Sequence, residues 1–262
     1  MEFFFFFLSL NVFAYYSILI PILLIRKKKE LLNKRSLWIK SFSVLCLISF
    51  ASALSLNKLV TPFFTQINER NFININVNQF HWFLIYFTGL VLLKLLYDRS
   101  TKGLYGLQAK IGQLRPYFFM LLIISPLIIA ASFMPDFLQV YPRIKPWNIH
   151  EVFGMNKLTL LGINEFFYGS AYVATELIFR GALVIGMVAL LGKESILPMI
   201  AVYCFYHFGK PLGETISSIF GGYILGIIAY NTRNIWGGTI IHLGIAYLME
   251  VLAMMQYYLL RK

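Results

Sequence analysis

The sequence predicts an all-α fold, a polytopic membrane helix bundle of about eight transmembrane helices, from apolar content and from where the charges fall. Of its 262 residues 59 % are hydrophobic and 13 % charged, with a mean hydropathy of +0.71, far more apolar than a soluble domain. The 23 Lys and Arg outnumber 11 Asp and Glu, for a net charge of +12. In a soluble protein that excess would point to nucleic acid. Here the basic residues cluster in short stretches between apolar runs, so they report orientation, exclude nucleic acid and leave the lipid bilayer as partner. Cys46 and Cys204 sit inside apolar runs without metal-ligand spacing, and neither a disulfide nor a structural zinc is expected.

The elements follow in order. Phe3 to Ile25 is long enough to cross the hydrocarbon layer, and Met1-Glu2 before it is no basic signal region, so it reads as a retained first span. Arg26, Lys27, Lys28 and Lys29, with Lys34 and Arg35, make the next loop cytoplasmic and put the N-terminus outside. Leu37 to Leu56 is the second span, with Lys40 placed to snorkel to the interface. Asn57 to Gln79, carrying Asn71, Asn74, Asn76 and Asn78, reads as a polar outside loop. Phe80 to Tyr97 is the third span, with His81 and Trp82 at its outer boundary; Arg99, Lys102, Lys110 and Arg115 return the chain to the cytoplasm.

Tyr117 to Met134 is a fourth span in which Pro126 predicts a kink, and Pro135, Pro142 and Pro146 then impose an irregular outside segment with a short piece around Trp147. The run from Leu158 to Leu191 is too long for one upright crossing and must tilt, bend or break, most naturally at Gly181. After Lys193 and Glu194 on the inside, Ile196 to Phe208 is a short run stopped at Gly209-Lys210-Pro211. Pro211 to Tyr230 is the next span, with Gly222 and Gly226 as a close-packing face. Beyond Arg233, Ile235 to Leu260 is the last, ending in Arg261-Lys262. One membrane domain results, with four helices in residues 1–157 and the polar motifs in residues 158–262.

Those motifs carry the chemistry. Glu176 and Arg180 stand in an otherwise apolar run, four positions apart and so on one helical face within pairing distance. Charges at bilayer depth are costly and are turned inward and used. His207 and His242 lie in later apolar runs, and imidazole is the usual partner of a carboxylate in proton transfer near neutral pH. Two readings stand at this point: structural glue, or a Glu/His catalytic set. Arg180 reads as counter-charge, because a guanidinium stays protonated and cannot act as a base. Glu214 in a first helical turn and Glu250 after His242 read either as supporting carboxylates or as a helix cap and an outer-interface residue. If a divalent metal such as zinc is present, Glu176, His207 and His242 are its three ligands; equally no cofactor is needed, and no H-E-x-x-H occurs.

Order and spacing resemble a known family. Glu176-x-x-x-Arg180-Gly181, then Tyr203 and His207 followed by Phe208-Gly209-Lys210-Pro211, then Asn234-Ile235-Trp236 before His242, are similar to the motifs of the CPBP family. These are the CAAX-protease and bacteriocin-processing membrane proteins, also called the ABI family, which include the CAAX prenyl protease type 2. The resemblance covers about Tyr172 to Glu250. It implies an intramembrane endopeptidase in which water polarised by Glu and His attacks a peptide carbonyl while the other His stabilises the oxyanion. Glu176 and Arg180 match the second Glu and the Arg of the family's Glu-Glu-x-x-x-Arg motif, His207 the second-motif His and His242 the third. Two positions depart from the pattern: Thr175 stands for the first Glu, and Ala246 for an Asn or Asp. The implied partner is a peptide or membrane-protein substrate, and the compact chain suits a bacterial inner membrane. The competing readings are an inactive member acting as scaffold or immunity factor, and a proton-coupled transporter using Glu176, His207, Glu214 and His242.

Overall fold

The computed structural model describes residues 2–99 and 103–260. Met1, Lys102, Arg261 and Lys262, which enter the charge and orientation reading above, lie outside the described residues. The main helices are α1 (Glu2–Ile25), α2 (Arg35–Ala53), α3 (Ile67–Leu96), α4 (Arg115–Ala131), α5 (Lys157–Glu176), α6 (Ile196–Phe205), α7 (Leu212–Thr232) and α8 (Trp236–Leu260). Among the described residues the only β pairing is two isolated bridges. The protein is an all-α, multi-pass membrane protein.

Six helical stretches among the described residues are long and apolar enough to cross a membrane. The difference from eight has two sources. The fifth and sixth expected spans join in one helical passage, Lys157–Phe205, and the fourth, α4, is an apolar helix of only 17 residues, about 25 Å long. The stretch expected as a polar loop from Asn57 to Gln79 is also largely helical, because α3 starts at Ile67 and runs for 30 residues. Its asparagines find partners there: Asn76 Nδ2 donates to the Phe72 carbonyl at 2.8 Å, and Asn57 pairs with Asn74. Asn is a mediocre helix former but not a breaker.

The chain forms two compact units, residues 1–54, 82–111 and 174–238 in one, and 55–81, 112–173 and 239–262 in the other. In the first, α1 buries Tyr15, Leu19 and Leu23 at four-residue spacing, while Phe3, Phe5, Phe6 and Phe13 stay exposed, as lipid-facing residues should. Since lipid is as apolar as leucine, helix contact here rests on close packing and polar cross-links. Asn11 Nδ2 donates to Ser49 Oγ at 2.9 Å, and the Tyr16 and Ser41 hydroxyls meet at 2.8 Å, which ties α1 to α2. Close packing of α7 on α6 follows from the predicted small-residue face: a Cβ at Gly222 would stand 3.2 Å from Tyr203, and one at Gly226 2.9 Å from Ile196.

In the second unit the Pro-rich segment holds a short helix, Pro135–Val140, and a 3-10 turn, Pro146–Asn148. The Trp147 ring lies flat on Tyr257 of α8, 3.4 Å between centroids. Gln256 reaches Ser132 Oγ at 2.7 Å.

Candidate active site

Glu176 is the last residue of α5, and the next eight, Leu177–Val184, form a π-helix, all buried. A 3-10 turn, Ile185–Met187, follows. Such wide turns are rare and concentrate at functional sites. The break expected at Gly181 is therefore a change of helix type. The loop after α3 packs closely against this segment. Tyr105 is buried and lies close to two glycines: a Cβ at Gly181 would stand 2.6 Å from the Tyr105 carbonyl, and one at Gly186 2.8 Å from its ring. Burial, and then the nearby Asp98 carboxylate, push the Tyr105 phenol up, so it stays neutral.

Within this segment Arg180 Nη1 lies 3.0 Å from Glu176 Oε1, both side chains fully buried, as the four-residue spacing predicts. The guanidinium also sits over the Tyr203 ring, 4.2 Å from its centroid, an arrangement that favours a desolvated cation. Tyr203 passes the connection on: its ring meets His207 edge-on at 4.4 Å, and its carbonyl lies 2.8 Å from His207 Nδ1. A carbonyl only accepts, so Nδ1 carries the proton and, in the neutral ring, Nε2 carries the lone pair. His207 itself is buried, 6 % exposed, just beyond the end of α6.

The turn beyond it is built by Gly209 at φ +88°, a left-handed conformation suited to glycine, and by Thr215 Oγ1 donating to the His207 carbonyl at 2.9 Å. Glu214, in the first turn of α7, pairs with Lys210 at 2.6 Å, so it has a structural partner of its own.

The third motif has a mechanical explanation. Arg233 turns the chain at φ +54°, and the Asn234 carboxamide accepts from the Trp236 N–H at 2.9 Å, opening α8. Asn234 Nδ2 donates to the Lys110 carbonyl at 2.9 Å, Trp236 Nε1 to the Gln108 carbonyl at 2.6 Å, and Gln108 Nε2 to the Arg233 carbonyl at 2.8 Å. The loop that carries Tyr105 thus clamps the α7 to α8 turn. At Gly238 a Cβ would collide with the Glu176 carboxylate, so the first turn of α8 is pressed directly against the candidate base.

Lys40 corrects the snorkelling expectation. Its side chain is 9 % exposed and pairs with Asp98 at 2.7 Å, while Nζ lies 3.4 Å from the Gly186 carbonyl. A carboxylate delivered by the loop after α3 meets its charge inside the protein, and a paired charge is far less costly to bury.

The second unit holds His242, edge-on to Tyr172 at 4.7 Å between centroids, and the Tyr172 and Tyr168 hydroxyls meet at 2.6 Å. Glu250 is buried, 2 % exposed, and accepts the Arg143 N–H at 2.8 Å; it does not face an exposed interface. Ala246 packs in a small apolar cluster with Ile144 and Tyr168. Sequence reasoning passed over Glu165, whose carboxylate oxygens are both enclosed. Its signal was an acid inside an apolar run, three helical turns before Glu176.

Residues 165–248 match the family model of the type II CAAX prenyl endopeptidase Rce1-like proteins. This part of the chain is similar to that family. This is the family that the order of the three motifs resembles. No curated protein and no solved structure gives a significant match. Among the described residues no group of three or more His, Cys, Asp and Glu side chains could hold a metal ion.

Proposed function

We propose that the chain is an intramembrane endopeptidase of the CAAX-protease type, acting on a peptide or membrane-protein substrate. The observation that carries this reading is the fully buried Glu176, paired with Arg180 and set at the start of a π-helix inside the matched segment. Arg180 fixes one carboxylate oxygen and leaves the group oriented rather than free to rotate. Glu176 takes a proton from water as the water oxygen bonds to the peptide carbonyl carbon, and the carbonyl π electrons move onto oxygen. Collapse breaks the C–N bond, and the proton goes to the leaving amine. His207, its tautomer set by the Tyr203 carbonyl, polarises the water through Nε2. His242 stabilises the oxyanion, a role that rests on its motif.

Glu176 serves as base where the family pattern has a preceding Glu, here Thr175. In this reading residues 158–262 are the catalytic part and residues 1–157 belong to this chain's own scaffold, with Glu214 and Glu250 in support. In this reading the protein sits in a bacterial inner membrane with its N-terminus outside, an orientation that the basic loops support.

The test is cleavage of a panel of labelled membrane peptides in liposomes by wild type, Glu176→Gln and His207→Ala. Cleavage by wild type that both substitutions abolish is the expected result. No cleavage of any substrate, with the folded protein still supporting its cellular phenotype, would favour an inactive member of the family.

A further inference from the structure

The surface of the first unit holds a groove of about 680 Å³ that takes no part in the site above, within the size range of ligand sites. Its walls are apolar: Ile22 of α1, Ile196 and Leu197 of α6, and Ile227 of α7. Its polar lining includes Arg26, just after the last residue of α1, Lys193, shortly before α6, and Asn231, in the last turn of α7. All three positions are helix ends, and Arg26 opens the basic stretch Arg26 to Lys29. One acid also lines the groove, but Glu194 is taken by Lys28 at 3.1 Å. Among the described residues neither Arg26 nor Lys193 forms an ion pair.

We propose that this groove binds one anionic phospholipid, its acyl chain along Ile22, Ile196 and Ile227 and its phosphate between Arg26 and Lys193. Basic pockets between membrane helices beside a polybasic loop attract anionic head groups. The apolar walls alone would take any chain; the two cations select the head group. The inference stands apart from the proteolysis reading, since binding can be measured whether or not the protein cleaves anything.

The test uses the full-length protein in phosphatidylcholine nanodiscs, titrated with fluorescent phosphatidylglycerol or phosphatidylcholine. Two cations at the usual surface strength give a preference for the anionic lipid of roughly 30-fold. Arg26→Gln with Lys193→Gln should abolish that preference, and Ile227→Trp should weaken phosphatidylglycerol binding by filling the groove. The charge-matched control Lys29→Gln with Lys34→Gln should leave most of the preference in place. A preference that survives Arg26→Gln/Lys193→Gln, or that falls equally in the control, would overturn the proposal. So would a neutral prenylated peptide that occupies the groove in place of phosphatidylglycerol, sensitive to Ile227→Trp and indifferent to the two charges.

Discussion

Among the described residues of the first unit two ion pairs are buried, and they are made differently. Glu176 and Arg180 are neighbours on one helical stretch, 3.0 Å apart, and both are fully enclosed. Lys40 and Asp98, 2.7 Å apart, come from α2 and from the segment after α3. Breaking either leaves a buried charge, which costs about 3–5 kcal/mol, whereas replacing both partners by apolar groups is often neutral. The difference lies in what surrounds them. The Lys40 pair backs onto the Gly186 carbonyl and holds the scaffold; the Glu176 pair leads through Tyr203 to an imidazole. The first is a brace; in the proposed reading the second is a reactive group held by one.

Predictions that break or sharpen this contrast run from large to small, and they separate the two pairs by cleavage per folded molecule, since either single substitution costs stability. Glu176→Gln keeps the shape of the carboxylate without its basicity, and cleavage per folded molecule should fall on the order of 10²–10⁴-fold; because Arg180 is left buried without its counter-charge, stability should fall by about 3–5 kcal/mol as well. Asp98→Asn should instead lower stability in detergent by about 3–5 kcal/mol, and adding Lys40→Met should recover most of it. A loss that the second substitution does not relieve would show that the pair is not a brace. Gly238→Ala drives a methyl into the Glu176 carboxylate, and overpacking of this kind costs about 1–3 kcal/mol; cleavage should drop more than the unfolding temperature implies. The smallest effect belongs to Glu214→Gln. The Lys210 pair is partly exposed, so a stability change below about 1 kcal/mol is expected, and a large loss of cleavage would move Glu214 into the chemistry.

The same contrast explains what was legible in the sequence. Features fixed by nearby residues could be read: the Glu176 and Arg180 pairing follows from helical spacing, the break near Gly181 from run length, and the Gly222 and Gly226 contact from small-residue spacing. The close approach of Tyr105 to Gly181 in the π-helix and to Gly186 just after it could not be read, because Tyr105 comes from a distant loop. Lys40 looked like an interface lysine because nothing near it in sequence offers an acid. Residues 67–79 looked like a loop because their asparagines are polar, yet their hydrogen bonds, as at Asn76 to Phe72, are helix-compatible. Glu165 was masked by the apolar run around it. The Asn234-Ile235-Trp236 motif was recognised as a pattern, and only the loop carrying Gln108 and Lys110 gives it a physical purpose.

The most direct test of the account sets Glu176→Gln beside Asp98→Asn in one liposome assay, with cleavage expressed per folded molecule. Both variants should lose stability, but a folded Glu176→Gln that does not cleave, together with an Asp98→Asn that cleaves normally when folded, is the predicted result. Wild-type cleavage by Glu176→Gln would contradict it.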